Sequence, residues 1–181
     1  ALDGSTWKLS AVDSATKQNL VTTGIDAFGN KTTTVTVNTY GDLFNGKVIT
    51  RSSVATTSGT DIFGTTSTTI TTTTNSDYVN AGTVADPIWR PDAITTETEV
   101  QGSDIFGGSW STSTKGKYTQ SYALDGATWK LSGATIVDNL VTTGIDLFGN
   151  KTTTVTVNTY GALFNGKVIT RSSVATTSGT D

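Results

Sequence analysis

The sequence predicts an all-β fold of repeated strand-turn units, arranged as a β-solenoid or a stacked meander that forms a fibre, with tandem β-sandwich domains as the alternative. Three observations predict it. Residues 19–61 recur as 139–181 with only two changes, Ala27 to Leu147 and Asp42 to Ala162, and residues 1–10 return as 123–132 changed only where Ser5 becomes Ala127. A unit of about 120 residues is therefore reiterated. Thr supplies close to a quarter of the chain, and this β-branched residue fits a pleated surface better than a helix. Finally, a Gly-x-Asp-x-Phe-Gly motif punctuates the chain at Gly24, Gly59, Gly102 and Gly144, with a relative beginning at Gly41 and at Gly161.

Taken in order, Leu2-Asp3-Gly4 is a short turn signal that returns as Leu124-Asp125-Gly126. In residues 32–38 the side chains alternate, so that Val35 and Val37 point one way while Thr34 and Thr36 point the other. Residues 47–55, 65–74, 94–101 and 109–118 read as strands of the same kind. Residues 75–92 break the rhythm: Pro87 and Pro91 bracket Trp89, and a proline removes a ladder donor, so this is a loop or an edge segment. The expected organisation is one full unit over 1–122, containing the non-repeating loop 75–92, and the first half of the next unit over 123–181. The pattern reads as a window of a longer repetitive polymer.

The turn motif has a mechanical reading. Gly permits positive φ, Asp can accept backbone N–H groups, and Phe would anchor the turn on a core. Phe28, Phe44, Phe63, Phe106, Phe148 and Phe164 are all the Phe residues of the chain, and stacked turns would align them in a column. The chemical rival is calcium held by Asp26, Asp61, Asp104 and Asp146, but calcium takes six to eight oxygens and each motif supplies one Asp. At the related turn Asp42 is replaced by Ala162, so one such carboxylate is dispensable. No other cofactor is implied. Trp7 and Trp129 alternate with Leu9 and Leu131, as on an inward face, whereas Trp89 between its prolines suits contact with another chain or unit.

Composition narrows the function classes. With no Cys, His or Met there is no disulfide, no imidazole or thiolate metal site, and no Cys- or His-based catalysis. The nearest acidic pair, Glu97 and Glu99, shares one face of a strand without an evident acid-base partner, so no enzyme is expected. A net charge of −3 with scattered basic residues gives nucleic acid no electrostatic footing. No apolar run approaches the length of a membrane span.

The segment Ile25-Asp26-Ala27-Phe28-Gly29-Asn30-Lys31-Thr32 resembles the YD repeats of RHS-type proteins, in which a Tyr-Asp pair precedes a Gly and a Thr-containing strand. Where those repeats carry Tyr, this chain has Ile25, Thr60, Ser103 and Ile145. The resemblance implies a spiralling β-sheet in large secreted or surface proteins. Gly102 and the residues after it are similar to one turn of the calcium β-roll, and the near-identical tandem units are similar to giant tandem-repeat bacterial surface proteins. The expectation is a structural protein that forms an extracellular filament, stalk or matrix fibre, with copies of itself as partner. The alternative is a cell-surface adhesin or carbohydrate-binding module, with surface carbohydrate as partner.

Overall fold

A computed structural model describes residues 2–3, 6–7, 18–44, 47–75, 78–84, 88–126, 128–160 and 170–180. Among these the regular structure is all β, in fifteen strands: β1 Leu2–Asp3, β2 Thr6–Trp7, β3 Gln18–Ile25, β4 Lys31–Phe44, β5 Lys47–Thr60, β6 Thr66–Asn75, β7 Tyr78–Asn80, β8 Trp89–Pro91, β9 Ala93–Ser103, β10 Ser109–Thr114, β11 Gly116–Asp125, β12 Thr128–Asp138, β13 Leu140–Ile145, β14 Lys151–Tyr160 and β15 Thr170–Thr180. Eleven of them form one antiparallel sheet, while β1 with β2 and β7 with β8 make two small ribbons.

The large sheet is a sequential meander. β10 and β11 lie end to end beside β9, and β12 and β13 lie end to end beside them, so the chain runs through nine ranks from β3 to β15 with each rank bonded to the next in sequence. This open sheet is not a closed barrel. Short hairpin loops join β3 to β4, β5 to β6, β9 to β10 and β13 to β14, whereas β6 reaches β9 through residues 76–92, which carry the β7–β8 ribbon.

One irregularity is held by a side chain. Ser111 faces Gln101 and Gly116 faces Thr98, so five residues of one line run past three of the other. Within the resulting bulge the Thr112 hydroxyl accepts the Val100 N–H at 2.7 Å and donates to the Val100 carbonyl at 2.9 Å. A Thr side chain thus replaces both backbone bonds that the bulge withdraws.

Residues paired across strands share a face. One face carries Val21, Val35, Val54 or Thr56, and Ile70, leading to Glu99 and Glu97. The other carries Thr22, Thr34, Thr57 and Thr69 in a lateral row. Cross-strand hydroxyl bonds join Thr34 to Thr57 and, in the second copy, Thr154 to Thr177, both at 2.9 Å. Thr therefore contributes twice, through its branched Cβ to the pleat and through its hydroxyl to lateral bonding.

The sheet is a single layer, with contacts running between bonded neighbours rather than between stacked strands. Among the described residues Leu131, 8% exposed, is the only buried hydrophobic side chain. Tandem sandwiches would instead press two sheets together over a shared core. The sheet also crosses the junction between the first unit and the second inside β11, so the sequence repeat does not mark a break in the fold.

Candidate functional site

The candidate surface is built from hairpin loops along one margin of the sheet. In the first loop Gly29 N–H donates to the Asp26 carbonyl at 3.1 Å and Asp26 N–H to the Asn30 carbonyl at 3.0 Å, with Gly29 at φ 91°. This is a three-residue hairpin loop in which a β-turn is followed by a left-handed residue, a position that Gly occupies without strain. The Asp26 carboxylate locks it, accepting Phe28 N–H at 2.8 Å, Asn30 N–H at 3.0 Å and the Asn30 side-chain amide at 2.8 Å. Asp61, Asp104 and Asp146 repeat the arrangement, each accepting two backbone N–H groups.

Those bonds set the acidity of the turn carboxylates. The Asn30 side-chain bond, helped by backbone N–H groups, holds Asp26 below its ordinary value of 3.8. At Asp61 and Asp146 the pull of desolvation is upward, but the combined hydrogen bonds, led by Thr65 and Asn150 respectively, outweigh it and leave both lowered. All four Asp side chains are engaged within their own turns, and among the described residues no group of three acidic side chains stands together to hold a metal ion.

The four loops stand in a row at the same end of their strands, since an even number of ranks separates each from the next. Each rests on its neighbour. A Cβ placed on Gly29 would meet the Ile62 methyl at 3.3 Å, one on Gly64 the Ile105 methyl at 3.0 Å, and one on Gly107 the Leu147 methyl at 3.7 Å. Ile62 N–H also donates to Asn30 Oδ1 at 3.1 Å, a side-chain bond from one turn to the next. The residue that follows Asp, rather than Phe, is therefore what ties the row together.

The expected Phe anchors need correction. Among the described turns the four Phe side chains are 68% (Phe106) to 84% (Phe148) exposed, with Phe28 and Phe63 between. Bending the loop places the second central residue outward, and a one-layer sheet offers it no core to enter. Phe44 closes β4, while Phe164 and Ala162 lie outside the described residues.

The first Gly of each motif has a different task from the second. Gly24, Thr32, Gly59, Ser67, Gly102, Trp110 and Gly144 follow one another across the sheet on a single face. A Cβ on Gly102 would collide with the Trp110 indole and the Thr66 carbonyl oxygen; Gly is there because Trp110 lies over it. Across the opposite face runs a shallow depression of about 560 Å³ lined by Thr66, Gln101, Ser109, Thr143 and Lys151.

Trp89 lies half-buried in β8, opposite Asn80. Trp129, by contrast, donates its indole N–H to the Pro91 carbonyl at 3.3 Å, so the Pro-containing segment is covered by the second copy's β12. Glu97 and Glu99 do have partners, Lys117 at 2.9 Å and Lys115 at 3.1 Å across the strand. The Lys117 hydrogen bond and charge lower Glu97, and reciprocally raise Lys117. Sequence spacing could not reveal these pairs because the bulge at Thr112 decides which lysine faces which glutamate.

No known family model, characterised protein or solved structure matches this chain. Among the described residues no helix is long and apolar enough to cross a membrane.

Proposed function

We propose that this chain is a structural protein whose near-identical β repeats associate into an extracellular or cell-surface filament, stalk or matrix fibre. The observation that carries this reading is the one-layer sheet: nine ranks of strand with, among the described residues, a single buried apolar side chain. Leu20, Val21, Ile25 and the turn Phe residues stay exposed, the Phe residues gathered along one row of turns, and large apolar side chains left exposed in this way are stabilised by contact with another surface. The repeat supplies that surface in kind, because the exposed turn Phe28 returns in the second copy as the equally exposed Phe148. Hydroxyl-rich faces with low charge permit close lateral approach between ribbons.

The test is negative-stain microscopy and fibre diffraction of the purified chain. Filaments should appear, with strands about 4.8 Å apart along the axis and a unit repeat of roughly 29 Å from six ranks per unit. A chain that stays monomeric by light scattering at every concentration would remove the reading. The second reading, an adhesin or carbohydrate-binding surface, is favoured by the hydroxyl-lined depression between Thr66 and Lys151. Saturable binding of a soluble oligosaccharide, weakened by Gln101→Ala, would support it.

A further inference from the structure

The turn row leaves room for one ring between each Phe and the next. Phe28, Phe63, Phe106 and Phe148 hold the same position in four loops of one kind and are exposed in every one. Each loop lies two ranks from its neighbour, so with ranks about 4.8 Å apart the row has a pitch of about 9.6 Å. The seats of Ile62 against Gly29, Ile105 against Gly64 and Leu147 against Gly107 repeat from loop to loop and hold that pitch. Aromatic rings attract one another at centroid separations of about 4.5–7 Å, so two rings one pitch apart stand too far from each other to pair. A ring placed midway would lie about 4.8 Å from both neighbours, inside that range. A second row of the same pitch supplies such rings in succession, and another copy of this chain carries one.

We infer that the turn rows of two copies of this chain interleave, ring between rings, as an aromatic zipper along the loop margin. A two-fold axis across the row brings the same patch of both copies together, with the rows running in opposite directions and offset by half a pitch. The four Phe, Ile62, Ile105 and Leu147 are each more than half exposed. Covering them on both copies would remove on the order of 1,200–1,800 Å² from water, the area of a stable specific interface. The Asp carboxylates beside the rings are engaged by N–H groups of their own loops. Exposed Lys31 and Lys151 follow two of those loops, so no block of like charge opposes the approach. The zipper deepens the fibre reading and rests on it, since it names the face by which one ribbon pairs with another.

The experiment labels the rings themselves. The full chain prepared with ring-labelled carbon-13 Phe is mixed in equal amount with the full chain prepared with para-fluorophenylalanine, and carbon–fluorine distances between copies are read by solid-state NMR after assembly. Interleaving should give ring contacts of about 5 Å between copies. These should vanish in the chain carrying Phe28→Ser, Phe63→Ser, Phe106→Ser and Phe148→Ser together, which keeps Phe44 and Phe164. By light scattering that variant should need about tenfold more protein to associate, with an unchanged urea midpoint because the rings enter no core. The contacts in the unsubstituted chain do not depend on how the variant folds. Absence of short contacts there, or association of the folded variant at the same concentration, would overturn the zipper. Filaments formed by the variant as readily as by the unsubstituted chain would overturn the zipper and leave the fibre reading standing. Pairs with ring contacts that never lengthen into filaments would uphold the zipper and count against the fibre. A monomeric chain held by its Phe row on lipid vesicles or on an insoluble polysaccharide would overturn it in favour of that partner.

Discussion

The triplets β3–β5 and β13–β15 have nearly the same sequence and the same register, down to the irregularity at Tyr40 and Tyr160, yet their surroundings differ. β3 lies at the margin, whereas β13 is bonded to β10; β5 is bonded to β6, whereas β15 lies at the other margin. Ile25 is 70% exposed and its counterpart Ile145 is 43% exposed. β15 is exposed throughout, while most of β5 is half-buried. Strand formation and pairing thus follow from the local sequence and one partner, while burial is set by the second partner.

The comparison breaks most severely at the seam that gives β13 its neighbour. Gly102→Val would drive a branched side chain into Trp110 and the Thr66 carbonyl, with an expected loss of about 3 kcal/mol in urea unfolding. Hydrogen exchange of β13 should then fall to the level of β3; unchanged protection would show that the Trp110 seat does not hold the seam. A gentler version tests the equivalent glycines. A Cβ on Gly144 would meet the Thr152 hydroxyl at 2.8 Å and the Ser109 carbonyl at 3.4 Å, whereas on Gly24 it would meet only the Thr32 hydroxyl, at 3.1 Å. Gly144→Ala should cost about 1 kcal/mol, and Gly24→Ala should stay within about 0.5 kcal/mol because the gain in chain stiffness offsets the crowding. Equal effects at the two sites would mean that the extra neighbour is energetically silent.

Acid should act on both copies alike. Asp26, Asp61 and Asp146 are lowered from 3.8, so their ionised forms are favoured by folding. Their contribution is complete above the ordinary carboxylate range and is lost as pH falls through the lowered values. The urea midpoint should be level from about pH 7 to 5 and decline below about pH 4; a midpoint that rose in acid would contradict the turn-locking role. At the single-bond level, Asn30→Ala removes both a bond within its turn and the bond to Ile62, and should cost about 1 kcal/mol. Asn150→Ala removes only the internal bond and should cost less, as thermal melts of the two variants would show. The smallest effect belongs to the exposed Lys115–Glu99 pair, where Lys115→Ala should change stability by under about 0.5 kcal/mol, less still in high salt.

Much of this architecture was legible in the sequence. The alternation through Thr34, Val35, Thr36 and Val37 and the Gly-x-Asp-x-Phe-Gly punctuation are local signals, and strands and loops lie where they point. The number of layers was not legible, because Val35 and Phe28 have the same chemistry whether or not anything covers them. Nor was the distinction between the glycines legible: Gly29 is required by its own backbone, but Gly102 by a Trp on another rank. The Thr112 bulge depends on a pairing whose register emerges only when β9 and β10 meet. Among the candidate residues, the Asp carboxylates accept N–H groups of their own turns, as the Gly-x-Asp-x-Phe-Gly spacing suggests, while the stitching contacts of Asn30 and Ile62 carry no sequence motif of their own.

Six ranks per repeat is an even number, so every unit enters and leaves the sheet in the same direction, and pulling the two ends of the ribbon apart loads its ladders by peeling rather than by sliding. Ranks would then come away one at a time from an end. Each release exchanges about 4.8 Å of ribbon width for roughly 30 Å of extended chain over ten residues. The meander is therefore geometrically suited to yielding and lengthening under load, a mechanical character opposite to that of a rod.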